Sequence, residues 1–366
     1  MKNKTYGAVS TSIQIEQILN FTCLEGKNTD RKAPICIWGT HGIGKTQLVK
    51  DFAEKNGMGF KYIAPAQFEE MGDLHGIPEV IEENGRQVTK FIIPEWVPVN
   101  EGPGILLLDD INRADDRILR GCMQLIQNYE LVSWRLPKGW QIVATANPDD
   151  MDYSVTSMDN AMLTRLIHTT MIFDAKSWAK WALASEIDSR GVSFVLTYPE
   201  LINTNLTTPR TLTMLFELIK PIANLKAHEE TVLRLAAGCI DEYAAAAFMN
   251  FINDDLNQLI EPEEVLYDKD FKAVEKRIKS LAKGSKGEMR LDRLSTVCTR
   301  ISLFLTTGKY NSKELLADNL IAFLLLEILP KDLTMSLYKD LVNSNDNELK
   351  SLLRRKELAQ FLLDQL

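Results

Sequence analysis

The sequence predicts an α/β fold: a central parallel sheet with helices on both faces, followed by an all-helical region. Three observations carry this prediction. Between Ala33 and about Asp174, short apolar runs alternate with stretches of helical periodicity, the pattern of strands joined by crossover helices. A glycine-rich loop stands between the first such run and the helix after it. From Ala175 to Leu366 the strand signals fade and helical periodicity dominates. At 366 residues, with 45% apolar and 25% charged side chains, the chain has the size and composition of a soluble globular protein of two or three domains.

The elements follow in order. Residues 1–31 read as an approach segment with one amphipathic helix, Ser12 to Phe21. Ile35-Cys36-Ile37-Trp38 is the first strand and Lys45 to Asn56 the first helix of the α/β domain, expected over residues 32–174. Gly59 to Ile63 and the very apolar Gly104 to Leu108 are further strands. Arg117 to Tyr129 is helical, and Gln141 to Thr145 and Ile167 to Phe173 complete the buried strands. Two stretches break the rhythm. Glu79 to Phe91 alternates around Asn84-Gly85, a strong hairpin signal, and Leu131 to Trp140 reads as two short strands around a turn. Both are expected as hairpin insertions. The helical remainder divides into an expected lid, 175–260, and a C-terminal region, 261–366. There Phe271, Val274, Ile278 and Leu281 form an apolar stripe, with Lys272, Lys276, Lys279 and Lys283 on another face. Gly284 to Gly287 is read as the end of that helix.

Charge and cysteine usage narrow the function. Lys+Arg 42 against Asp+Glu 50 gives a net charge of −8, against a whole-surface nucleic-acid or membrane binder. No apolar stretch follows Met1 to Thr5, and the longest strongly apolar run, Leu320 to Leu326, is far short of the roughly 18–20 residues of a membrane span. The 5 cysteines are scattered without metal or disulfide spacing, and the 4 histidines are isolated. These features lead us to expect a cytoplasmic protein. Arg113, Arg117 and Arg120 read as a solvated helical face, and Trp38, Trp134, Trp140, Trp178 and Trp181 as packing residues.

Gly39-Thr40-His41-Gly42-Ile43-Gly44-Lys45-Thr46 fits G-x4-G-K-[ST] between a strand and a helix. Glycines let such a loop wrap phosphates with its N–H groups pointing inward, and the helix N-terminus adds partial positive charge. Lys45 is then expected to reach the β- and γ-phosphates of ATP, and the Thr46 hydroxyl to bind Mg²⁺. Ile105 to Asp110 supplies the partner strand, four apolar residues ending in two acids. Ligands in open α/β sheets gather at that edge. Asp109 is expected to hold Mg²⁺ through its water shell, and Asp110 to orient or deprotonate the attacking water.

With these residues in place, the chain resembles the AAA+ ATPases and, within them, the MoxR-like group. Leu108-Asp109-Asp110-Ile111-Asn112-Arg113-Ala114 is similar to that group's second acidic signature, D-E-I-N-R-A. Ala144-Thr145-Ala146-Asn147-Pro148 resembles its sensor-1 strand end, implying that Asn147 positions the attacking water. Asp159 to Leu166 resembles the box carrying the arginine finger, which falls on Arg165 and acts in trans. Thr208-Pro209-Arg210 matches the sensor-2 motif, placing Arg210 in the first turn of a lid helix, where Thr208 is a good N-cap and Pro209 suits the next position. Asp73-Leu74-His75-Gly76-Ile77-Pro78 resembles the lead into the first hairpin. The resemblance covers about residues 33–220.

It implies a homo-oligomeric ring, expected to be a hexamer, that hydrolyses ATP to remodel or mature a client protein, with a von Willebrand factor A domain protein as a candidate companion. One departure matters: Asp110 stands where the group has glutamate. Its carboxylate is set back by about 1.5 Å, and a shift of that size can cost roughly a hundredfold in rate. Two further readings follow. One is a nucleotide-regulated scaffold with little hydrolysis. The other is a nucleic-acid motor or loader, suggested by the nine basic against four acidic side chains of residues 269–293.

Overall fold

The computed structural model describes residues 5–24, 33–148, 155–204, 206–253, 259–283, 288–307, 310–311, 314–344 and 346–354. The chain divides into two compact units, residues 1–174 and 175–366.

The first unit runs β1 (Ala8–Ser10), α1 (Ser12–Leu19), β2 (Ile35–Trp38), α2 (Lys45–Lys55), β3 (Gly59–Ile63), α3 (Met71–His75), β4 (Ile77–Glu83), β5 (Arg86–Ile92), β6 (Gly104–Leu108), α4 (Asp116–Asn128), β7 (Glu130–Leu131), β8 (Trp134–Arg135), β9 (Trp140–Ala146), α5 (Asn160–Leu163) and β10 (Ile167–Met171). Six strands form one parallel sheet in the order β1-β10-β2-β9-β6-β3. Five of them are the strands that the sequence predicts. The sixth, β1, arises within the expected approach segment and pairs with β10, Ala8 opposite Thr169.

Successive residues of the inner strands face opposite sides, and each side has its own core. Ile35, Ile37, Ile105, Leu107 and Val143 pack with Ile15 and Leu19 of α1 and Val49 and Phe52 of α2. Cys36, Trp38, Leu106, Leu108, Ile142 and Ala144 pack with Ile118, Leu119, Cys122, Leu125 and Ile126 of α4. Burial on both faces explains why these strands read as unbroken apolar runs.

Both expected hairpins form. In β4–β5 the turn residues Asn84 and Gly85 have φ of 55° and 76°, the double left-handed turn that matches strand twist. The Asp73 to Pro78 lead has a local logic. The Asp73 carboxylate accepts from the N–H groups of Glu69 and Glu70, each at 3.0 Å. Gly76, at φ 92°, lies where a Cβ would stand 1.8 Å from the Ile92 carbonyl oxygen. The β7–β8 turn falls at Val132-Ser133, and Ser133 Oγ accepts from the Phe91 N–H at 3.1 Å. The Trp134 indole N–H donates to the His75 carbonyl at 3.2 Å and its ring meets Trp96 edge-on at 5.3 Å. The two insertions therefore pack as one body.

The second unit comprises α6 (Ala175–Ala184), α7 (Ser189–Thr197), α8 (Pro209–Ile219), α9 (Glu229–Cys239), α10 (Glu242–Asn253), α11 (Pro262–Tyr267), α12 (Phe271–Leu281), α13 (Leu291–Thr306), α14 (Glu314–Leu324), α15 (Lys331–Val342) and α16 (Asn347–Leu352). Phe194, Phe216, Phe248 and Phe251 are completely buried and build an aromatic cluster across α7, α8 and α10, with Phe194 and Phe248 edge-on at 5.0 Å. A second core joins α11 to α16, with Val274 and Ile278 of the α12 stripe inside it. The division expected at residue 260 falls inside this unit, where α13 packs on α6 and α7. The expected helix break at 284–287 and the last residues, 355–366, lie outside the described residues. No described helix is long and apolar enough to cross a membrane, and all five cysteines are buried and unpaired.

Candidate functional site

β2, β6 and β9 lie side by side in the sheet, so their C-terminal ends deliver three sequence motifs to one edge. The loop after β2 turns through Gly42 and Gly44, at φ 69° and 103°, a region that glycine enters without steric cost. Gly44 is the N-cap of α2 and, having no side chain, makes no side-chain cap bond. The partial positive charge of a helix N-terminus suits an anion there.

Lys45 is 6% exposed, and its ammonium folds back over the loop. It donates to the carbonyls of Gly39 at 2.8 Å and Thr40 at 3.1 Å, and to Asn147 Oδ1 at 3.1 Å. Cys36 is buried behind it. Burial pushes that thiol far up, and the Lys45 charge pulls it only partly back. Thr46 Oγ1 donates to Asp109 Oδ1 at 2.7 Å, and Thr145 Oγ1 donates to the same oxygen at 2.7 Å. The Tyr62 hydroxyl donates to Asp109 Oδ2 at 3.3 Å. The Asp110 N–H donates to Thr145 Oγ1 at 2.8 Å, so one threonine of β9 fixes both acids.

Asn147 is fully buried and held by Asn112. The Asn112 amide donates to the Asn147 carbonyl at 2.8 Å and accepts from its N–H at 3.1 Å. With Oδ1 turned to Lys45, Asn147 Nδ2 is a buried donor with no acceptor among the described residues. An unsatisfied buried donor at the mouth of a phosphate loop suits an oxygen ligand. The oxygens of Thr46 and Asp109 suit a hard divalent cation such as Mg²⁺. The residues present therefore fit a magnesium nucleotide.

The structure brings Gly39, Thr40, His41, Gly42, Ile43, Gly44, Lys45, Thr46, Asp109 and Asn147 together. Asp110 is adjacent, with its carboxylate 3.6 Å from Arg113 Nε. Arg165 stands elsewhere on the unit, exposed, with Nε donating to Gln127 Oε1 at 2.7 Å and Nη1 to the Ala161 carbonyl at 2.5 Å. Arg210 belongs to the second unit, exposed in the first turn of α8, whose capping box is made by Thr208 and Thr211. Sequence reasoning gave no role to Tyr62, Asn112, Gln127 or Thr145. Asn112 lay within the quoted acidic signature, but its reciprocal bond to Asn147 joins residues 35 apart.

Residues 34–166 match the family model of the AAA domain, dynein-related subfamily. Among solved structures, the chain is similar to a point mutant of Thermotoga maritima RuvB at 14% identity and a TM-score of 0.39, with 83% of this chain and 90% of that one covered. The Thermotoga maritima RuvB Holliday junction branch migration motor gives 14% identity and a TM-score of 0.36, with 83% and 90% covered. An ATPase candidate from Cytophaga hutchinsonii gives 14% identity and a TM-score of 0.33, with 95% and 90% covered. No curated protein matches the sequence. The region matched by the family model spans the phosphate loop, the paired acids and Asn147, and the six-stranded parallel sheet carrying them is a P-loop AAA+ fold.

Proposed function

We propose that this protein is a cytoplasmic ATPase of the MoxR-like group, which binds ATP with Mg²⁺ at the Gly39–Thr46 loop and acts as a ring, a hexamer in this reading, on a client protein. The observation that carries the proposal is the convergence of Lys45, Thr46, Asp109 and Asn147 at one sheet edge, with the Asn147 amide aimed at no described protein acceptor. Thr46 and Asp109 hold the metal, which neutralises phosphate charge when bound. Lys45 binds the terminal phosphates, and Asn147 orients the attacking water. Arg165 completes the site of the neighbouring subunit by stabilising charge on the transferred phosphoryl group, and Arg210 reports nucleotide state from the lid. The paired hairpins are the surface that meets the client, a von Willebrand factor A domain protein being the companion that the resemblance suggests.

Two variants test this reading. Lys45→Ala abolishes ATP binding, measured with a fluorescent analogue. Arg165→Ala leaves binding intact and removes hydrolysis that depends on assembly. Normal turnover by the Arg165 variant would sink the finger assignment.

A second reading, a nucleotide-regulated scaffold, is favoured by Asp110, whose carboxylate is short and faces Arg113. The basic face of α12 lends the nucleic-acid reading less support. Lys279 pairs with Glu275 at 2.6 Å and Arg277 with Glu264, so part of that charge is already answered within the protein.

A further inference from the structure

An arginine that completes a neighbour's site must keep its charge and present one edge of its guanidinium in a fixed plane. The groove between α4 and α5, about 460 Å³, is lined by two arginines that differ in this respect. Arg120 pairs with the Asp116 carboxylate at 2.9 Å, which answers its charge. Arg165 is instead held by two neutral oxygens, Gln127 Oε1 on Nε at 2.7 Å and the Ala161 carbonyl on Nη1 at 2.5 Å. The Asp159 carboxylate in the same groove serves the N-cap of α5, accepting from the Met162 N–H at 2.8 Å. Two acceptors fix the plane of a guanidinium. Being neutral, they leave its full charge for an anion, and Nη2 makes no hydrogen bond among the described residues.

We infer that Gln127, in the last turn of α4, is the positioning residue that orients Arg165 for phosphoryl transfer on the adjacent subunit's nucleotide. The inference rests on the reading of Arg165 as a trans-acting finger. α4 begins at Asp116, just after the acids of β6, so the helix that follows one subunit's own site also carries the residue that aims its arginine at the next. Gln127 touches no nucleotide in this scheme. It acts through Arg165.

The test compares Gln127→Met, Gln127→Glu, Arg165→Ala and the Gln127→Met/Arg165→Ala double variant in the full-length protein. Turnover of γ-labelled ATP gives kcat and KM, and a fluorescent ATP analogue gives affinity. Methionine keeps the shape and removes the acceptor, so kcat falls roughly ten- to a hundredfold, the range expected for a misplacement near 1 Å, with KM and analogue affinity unchanged. Glutamate restores an acceptor oxygen to Nε but brings the negative charge that a neutral acceptor avoids, so kcat recovers only in part. In the Arg165→Ala background the methionine change has no further effect. Wild-type kcat in Gln127→Met, beside a collapsed Arg165→Ala, overturns the role of Gln127 alone. So does a loss of equal size in both backgrounds, or a Gln127→Glu variant as impaired as Gln127→Met. Undiminished turnover by Arg165→Ala, or no turnover in the wild type, overturns the finger or ATPase reading beneath it.

Discussion

Asp110 has φ of 47°, in the left-handed region, at the N-cap position of the short turn Ile111–Arg113. Aspartate enters that region more readily than most side chains because its short carboxylate can bond locally, whereas a longer side chain is held there at a cost of about 1–3 kcal/mol. Backbone geometry thus gives a physical reason for an aspartate at this position. Two effects compete in Asp110→Glu: strain in the turn and a carboxylate about 1.5 Å further out. Since the N–H of residue 110 stays tied to Thr145 in either case, the turn is expected to survive. Turnover should then rise by an order of magnitude or more, while thermal stability falls slightly. Labelled-ATP hydrolysis beside a melting curve checks both, and unchanged turnover in a folded variant removes Asp110 as the cause of any slow hydrolysis.

Among the elements of the helical unit, α7 and α8 meet more closely than helices with full side chains could. A Cβ on Gly191 would lie 2.3 Å from Cγ of Phe216 and within 2.6 Å of both neighbouring ring carbons. Alanine would improve helix propensity by about 1 kcal/mol, but a buried phenylalanine ring cannot retreat from such an overlap without disturbing Phe248 and Trp178 beside it. Overpacking wins: Gly191→Ala should lose about 1–3 kcal/mol, seen as a lower urea midpoint at unchanged slope. A more stable variant would show that α7 and α8 are not this tightly packed. The same scale explains what the sequence could and could not tell. β6 was legible because Ile105 to Leu108 are buried on both faces, and the β4–β5 hairpin because Asn84-Gly85 sets its turn by itself. β1 was not, because three residues with no distinctive pattern become a strand only through β10, about 160 positions away. For the site, the phosphate loop, Asp109 and Asn147 follow from local motifs. Asn112, Thr145 and Gln127 owe their roles to bonds that span 35, 36 and 38 residues, and no local signal encodes a partner at that distance.

At the scale of the whole molecule, the two units are stabilised by separate means: cores on both faces of the sheet in one, and an aromatic cluster with a second helical core in the other. Each has its own hydrophobic core, as a folding unit requires. Every proposed nucleotide residue except Arg210 lies in the first unit. Residues 1–174 alone should therefore fold and bind an ATP analogue; on the role proposed for Arg210, binding is weaker by what one charge-assisted contact contributes, about 1.5–3 kcal/mol or roughly ten- to a hundredfold. On the role proposed for Arg210, Arg210→Ala in the full chain should lose the same amount while leaving the helical unit in place. Calorimetric titration of the fragment and of the variant makes the comparison. A fragment that binds as tightly as the full chain would exclude Arg210 from the site. A folded fragment that fails to bind, beside an Arg210 variant that still does, would mean that the helical unit supplies more of the nucleotide site than one arginine.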